Sequence, residues 1–172
     1  ISAIGELMSG TRGIVWIHSA PAALRPHLEW ALGAVLGAPV ELSWSEQPAE
    51  PRTLRAEYHW HGPAGRGAEL ASALRRCVRA RFEVTEEPTA GTEGSRWAYT
   101  PRLGVFSATI GVHGDVMIHE DRLKQALLAD ALGQRPLGEG VAELLGAAWD
   151  AELEAFRYAG DGAPVRWLYQ VG

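Results

Sequence analysis

Leu54-Arg55-Ala56-Glu57-Tyr58-His59-Trp60-His61 alternates without a break. Ala56, Tyr58 and Trp60 fall on one side and Arg55, Glu57, His59 and His61 on the other, the two-residue period of a half-buried strand. Upstream, across a loop bearing Pro and Glu, Val40-Glu41-Leu42-Ser43-Trp44-Ser45 alternates in the same way. Further back, residues 13–19 contain Ile14-Val15-Trp16-Ile17-His18, β-branched and aromatic and apolar on both faces, as a central strand requires. Between these strands lies a helical pattern. Ser19-Ala20-Pro21 opens it, Leu28, Leu32, Val35 and Leu36 recur at helical spacing, and Gly37 with Pro39 closes it. Pro26 either marks the true helix start or distorts its first turn.

Downstream, the glycine-rich turn Gly62 to Gly67 leads into a short helix bearing Leu70, Ala71 and Leu74. Val78, Ala80, Phe82 and Val84 then alternate with Arg79, Arg81 and Glu83 as a fourth strand. The order over residues 11–85 is therefore βαββαβ, the ferredoxin-like arrangement. It predicts two helices on one face of an antiparallel sheet, with the first and third strands adjacent at its centre.

The remaining chain extends this unit. Residues 86–95 are a polar connector and the best boundary. Residues 96–111 and Val116-Met117-Ile118, joined by a turn at Val112-His113-Gly114-Asp115, read as a β-hairpin whose first arm bends at Pro101 and Gly104. A helix is expected over 121–132, an interruption at Leu137-Gly138-Glu139-Gly140, and one long helix over 141–158. A Gly160-Asp161-Gly162 turn and an edge strand over 164–171 finish the chain. The expected fold class is α+β: a tail over 1–10 and a single domain over 11–172, in which the hairpin and helices of 96–172 pack on the βαββαβ unit.

Of the 172 residues, 47% are apolar, enough to fill a core, and seven are Trp, residues that suit cores and interfaces. A formal charge of −5 argues against binding nucleic acid through its phosphates. The single cysteine, Cys77, forms no internal disulfide; it reads as a small buried hydrophobe near a helix end and fits a reducing compartment. No secretory leader pattern and no apolar run of membrane-spanning length is present, so a cytoplasmic protein without membrane association is expected.

Gly13-Ile14-Val15-Trp16-Ile17-His18-Ser19-Ala20-Pro21, His27-Leu28-Glu29-Trp30-Ala31-Leu32, Arg81-Phe82-Glu83-Val84-Thr85-Glu86 and Gly114-Asp115-Val116-Met117 resemble an actinobacterial family catalogued only as a domain of unknown function. The resemblance runs from about Thr11 to the C-terminus. It implies a cytosolic bacterial protein and supplies no catalytic residues.

Four sets of residues carry chemistry. Glu57, His59 and His61 share one strand face at steps of roughly 6–7 Å, and with His18 on the neighbouring strand they offer donors to a divalent metal; the competing reading is a solvated polar face. Gly65, Arg66 and Gly67 before a helix offer backbone amides and a cation to an anion, although the spacing is neither a P-loop nor a dinucleotide fingerprint. His27 with Glu29, His113 with Asp115, and His119 with Glu120 and Asp121 are acid/base pairs without a nucleophile motif. The sheet face away from the helices gathers Trp16, His18, Glu57, His59, His61, Arg79, Arg81 and Glu83, a mixed aromatic and charged surface of the kind that binds ligands or partners unless the C-terminal half covers it. The function expected is a non-enzymatic binding or regulatory module that engages a protein partner or itself, without a cofactor. The alternative is a small metal- or ligand-binding enzyme built on the His/Glu cluster.

Overall fold

The structure is a computed structural model that describes residues 10–159. Its strands are β1 (Gly10–Pro21), β2 (Ser45–Glu46), β3 (Thr53–Pro63), β4 (Arg81–Glu86), β5 (Gly94–Thr100), β6 (Gly104–Ile110) and β7 (Val116–Met117). Its helices are α1 (Arg25–Leu36), α2 (Arg66–Leu74), α3 (Glu120–Ala131), α4 (Leu137–Leu144) and α5 (Ala147–Arg157). The strands form one antiparallel sheet in the order β2-β3-β1-β4-β5-β6-β7, so the architecture is α+β.

The two-sided apolar strand, β1, lies between β3 and β4, with Val15 opposite Tyr58 on one side and Val84 on the other. Val15, Ile17, Trp60, Phe82 and Val84 point toward α1 and α2, whose Leu28, Leu32, Leu70 and Leu74 are fully buried against them. Each such leucine contributes roughly 1.5–3 kcal/mol by leaving water. Gly13 is required where this layer is tightest: a Cβ there would lie 1.8 Å from the Thr85 carbonyl oxygen and 2.8 Å from the Trp60 ring.

The opposite face carries a second, smaller core. Leu153 of α5 is buried with Ala98 and Phe106, and Trp149 packs on Phe106 at a ring separation of 5.2 Å. The Trp149 indole nitrogen donates to the Gly104 carbonyl at 2.9 Å. The sheet is thus covered by α1 and α2 on one side and by α5 over β5 and β6 on the other.

Four local expectations are corrected. Residues 40–45 do not form a long strand; only Ser45–Glu46 pairs with β3. The cause is Glu29 of α1, whose carboxylate accepts the Leu42 N–H at 3.1 Å and the Trp44 indole N–H at 2.9 Å, drawing this segment toward the helix instead of the ladder. The fourth strand starts at Arg81, because turn bonds from Cys77 N–H to Leu74 and from Ala80 N–H to Cys77, both 2.9 Å, hold the chain curled until then. Residues 96–111 are two arms: the chain reverses at Pro101 to Leu103, where Thr100 Oγ1 accepts the Leu103 N–H at 3.0 Å and Gly104 takes φ 76°. Residues 137–140 begin α4, and the break falls at Gly146, at φ 77°. The connector 86–95 joins β4 to its antiparallel neighbour β5. The tail over 1–9, the turn at 160–162 and the strand over 164–171 lie outside the described residues.

Candidate functional site

The site begins with a bulge. Between Ile17 and Ser19, β1 spends two residues where β4 spends one, from Phe82 to Arg81; against β3 it spends three, to Ala20, where β3 spends two. The extra residue re-aims side chains. His18 and Ser19 both reach groups on the face away from α1 and α2: Ser19 Oγ accepts from Arg81 at 3.1 Å and His18 Nε2 lies 2.6 Å from Glu83 Oε2.

Glu83 is the hub. It stands opposite Trp16 of β1 and is only 6% exposed. Besides His18, its carboxylate accepts from Arg96 Nη2 at 2.8 Å, Arg157 Nε at 2.8 Å and Arg157 Nη2 at 2.5 Å. Asp150 Oδ1 accepts from the same two arginines at 2.7 and 2.8 Å. Burial opposes ionisation of Glu83, yet the hydrogen bonds from His18 and Arg157 and their Coulombic attraction outweigh it and hold the carboxyl far below the usual carboxylate range. Burial likewise opposes the Arg157 charge, and the contacts to Glu83 and Asp150 overcome it, raising this guanidinium above its ordinary value.

This ion cluster floors one end of a cavity of about 720 Å³. Trp16, Arg55 and Glu57 form the sheet side, and Phe156, Arg157 and Tyr158 form the wall contributed by α5 and its end. The wall is fixed by three links: Gln47 Nε2 donates to the carbonyls of His18 at 2.6 Å and Phe156 at 3.1 Å, Arg55 Nη1 donates to the Ala159 carbonyl at 2.8 Å, and the Arg81 guanidinium sits 4.5 Å over the Phe156 ring while pairing with Glu50 at 2.6 Å.

Of the residues expected at one surface, Trp16, His18 and Glu57 do line this cavity, with Glu83, and Arg81 braces its wall. His59 and His61 do not converge with His18. They stand opposite Ile14 and Arg12, so His59 is four residues along β3 from Arg55, roughly 13 Å. Among the described residues His59 Nε2 reaches only Glu57, at 2.9 Å and exposed to water, and no three His, Cys, Asp or Glu side chains group to hold a metal ion. The metal reading of His18, Glu57, His59 and His61 therefore loses its geometry. Arg79 is displaced altogether: the late start of β4 leaves it in the turn beyond α2, on the helical side.

The glycine turn at the start of α2 does receive an anion, and it is the protein's own. The Glu86 carboxylate accepts the Gly65 N–H at 3.1 Å and the Gly67 N–H at 2.9 Å, and Arg66 is committed to Glu69 at 2.7 Å. Glu29 serves Leu42 and Trp44, and His119 Nε2 lies 3.0 Å from Thr109 Oγ1; among the described residues no hydrogen bond or ion pair joins His27 to Glu29, His113 to Asp115, or His119 to Glu120 or Asp121.

Sequence reasoning missed Arg96, Asp150, Phe156, Arg157 and Tyr158. One signal was available. Asp150 and Arg157 are seven residues apart on a helix and therefore share a face, an acid and a base projecting together from an element that must pack. Chemically, a carboxylate saturated by four donors is a poor base and a poor nucleophile. The floor of the cavity supplies fixed charge and rigidity, and its aromatic walls supply contact.

No curated protein and no solved structure matches this chain. Among the described residues no helix is long and apolar enough to cross a membrane. A family model does match, over residues 14–170, and the chain belongs to that family, described as a protein of unknown function (DUF3145).

Proposed function

We propose that the chain is a binding module without a reaction centre of its own, and that it engages a protein partner through the aromatic groove on the sheet face opposite α1 and α2. The observation that carries this reading is the saturation of Glu83: every strong acid or base at the groove floor is already spent on another, while Trp16, Phe156 and Tyr158 present apolar surface at the walls. Aromatic anchors beside locked charges are the composition of partner-binding patches. The strand order β2-β3-β1-β4 with α1 and α2 on one face supports reading the first half as a ferredoxin-like unit. The single cysteine supports a reducing, cytoplasmic setting, and the charge of −5 weighs against nucleic acid.

The test is recovery of a partner from native lysate with the wild-type chain and with Trp16→Ala combined with Glu57→Arg, alongside mass photometry of the pure protein. Wild type retains a stoichiometric partner or a second copy and the variant loses it. A strict monomer that retains nothing ends the proposal. The cavity volume of about 720 Å³ also favours a second reading, a small-molecule site, since ligand pockets span roughly 300–1,000 Å³. Thermal shift against a panel of small anions and aromatic metabolites, together with elemental analysis of untagged protein, separates the two.

A further inference from the structure

A second groove lies on the other side of the molecule, between α1 and α2. Ala31 and Ala34 of α1 face Ala68, Ser72 and Ala73 of α2, and these small side chains leave a trough of about 860 Å³. Its rims are apolar and wet. Trp30 is 73% exposed and Val78 is 62% exposed, costly positions for large apolar side chains in a monomer.

The charges around the trough are as unusual as its lining. Arg12, Arg66, Arg81, Arg96, Arg102 and Arg157 each hold a carboxylate. Arg75, Arg76 and Arg79 hold none among the described residues, although the chain carries a net charge of −5. All three follow α2 within five residues, are exposed, and Arg76 and Arg79 line the trough itself. The late start of β4 is what puts them there: the turn through Cys77 and Ala80 ends the helix and presents this basic corner beside Trp30 instead of burying Arg79 in the sheet. Among the described residues the only acid on the lining, Glu69, is engaged by Arg66 at 2.7 Å.

We infer that this groove is the docking site for an acidic amphipathic helix of a partner protein, with its apolar stripe laid on Trp30, Val35 and Val78 and its carboxylates over Arg75, Arg76 and Arg79. A trough between two parallel ridges is filled by a third helix. The lengths of α1 and α2, twelve and nine residues, allow roughly three turns of contact at about 1.5 Å per residue. Charge selects the partner: with no carboxylate of its own to spare, the basic corner rejects a basic helix and draws an acidic one.

The experiment uses the intact chain and two designed helical peptides of about 14 residues, with Leu at i, i+3, i+4 and i+7 and either Glu or Lys on the flanks. Cys77, the single cysteine, lines the groove, so its reaction with a disulfide reagent at mildly alkaline pH reports occupancy. The Glu peptide binds by calorimetry, slows Cys77 labelling, and loses affinity as salt is raised, whereas the Lys peptide does neither. Trp30→Ala and Arg76→Glu with Arg79→Glu each weaken the Glu peptide about tenfold or more, while circular dichroism and melting stay unchanged because these side chains are exposed. Equal binding of both peptides, or of neither, overturns the inference. So does a concentration-dependent dimer of the pure protein that Trp30→Ala dissolves, which assigns the groove to a second copy. Trp16→Ala leaves all these readouts in place, so this result and that for the sheet-face groove fail independently.

Discussion

Arg157, in the last turn of α5, grips Glu83 of β4 with two nitrogens, Nε at 2.8 Å and Nη2 at 2.5 Å, where the side chains are only 12% and 8% exposed. This pair joins α5 to the central part of the sheet. Glu83→Gln keeps the shape but removes the charge on which three donor residues converge. Breaking a buried pair from one side costs about 3 kcal/mol or more, because the remaining cations stay out of water without compensation. Urea unfolding of the variant should show that loss. Adding Arg157→Met should return a large part of it, a non-additive result that two independent surface changes would not give.

The same carboxylate sets an acid limit. Its folded pKa is depressed below the ordinary value of 4.5, so its contribution is complete at pH values above that ordinary value and drains away as pH falls below it toward strong acid. The stability gap between wild type and Glu83→Gln is therefore flat from neutral pH down to about 5 and narrows below about 4. Denaturant midpoints of both proteins over that range check it; a gap that widens toward acid would contradict the pairing.

How much of this was legible beforehand varies with the kind of evidence. The alternation of residues 54–61 and the two-sided apolar character of β1 fixed the middle of the sheet, because burial on one or two faces writes directly into residue order. The edge at residues 40–45 was misread because its competitor, the Glu29 side chain, is thirteen residues away from Leu42 and leaves no periodic trace. The division of residues 96–111 into two strands rested on a four-residue turn whose bonds come from Thr100, a residue that also suits a strand. At the site, Trp16, His18 and Glu57 were visible as a face, but the arginines that complete it arrive from β5 and α5, and only the fold brings them to Glu83. The bulge that brings Ser19 onto the same face as His18, within reach of Arg81, is likewise a register fact between residues 62 apart in the chain.

Gly146 separates α4 from α5 at φ 77°, and a Cβ there would meet the Phe106 ring at 2.6 Å. Gly37, which ends α1 at φ 77°, has nothing within 4 Å of its Cβ position. Both Gly→Ala changes carry the left-handed strain of about 1 kcal/mol, and only Gly146→Ala adds overpacking, typically about 1–3 kcal/mol. Thermal melts should rank Gly146→Ala clearly below Gly37→Ala. Equal losses would mean that Phe106 moves aside freely and that the small core beneath α5 is loose.

Glu86 fills the anion position at the start of α2 from within the chain, with Gly65 and Gly67 donating and Gly67 kept bare by the Trp97 ring, 2.6 Å from where a Cβ would be. Carboxylates stabilise a helix start by answering its free N–H groups and its positive end. Glu86→Ala removes that acceptor and should cost about 1–2 kcal/mol. It also leaves a carboxylate-sized space facing two amides, so formate should raise the melting temperature of Glu86→Ala with a saturating dose dependence and leave wild type unmoved, with chloride at equal ionic strength as the control. If formate affects both proteins alike, the amides are not the reason for the loss, and the glycine turn is a loop that Glu86 merely lies beside.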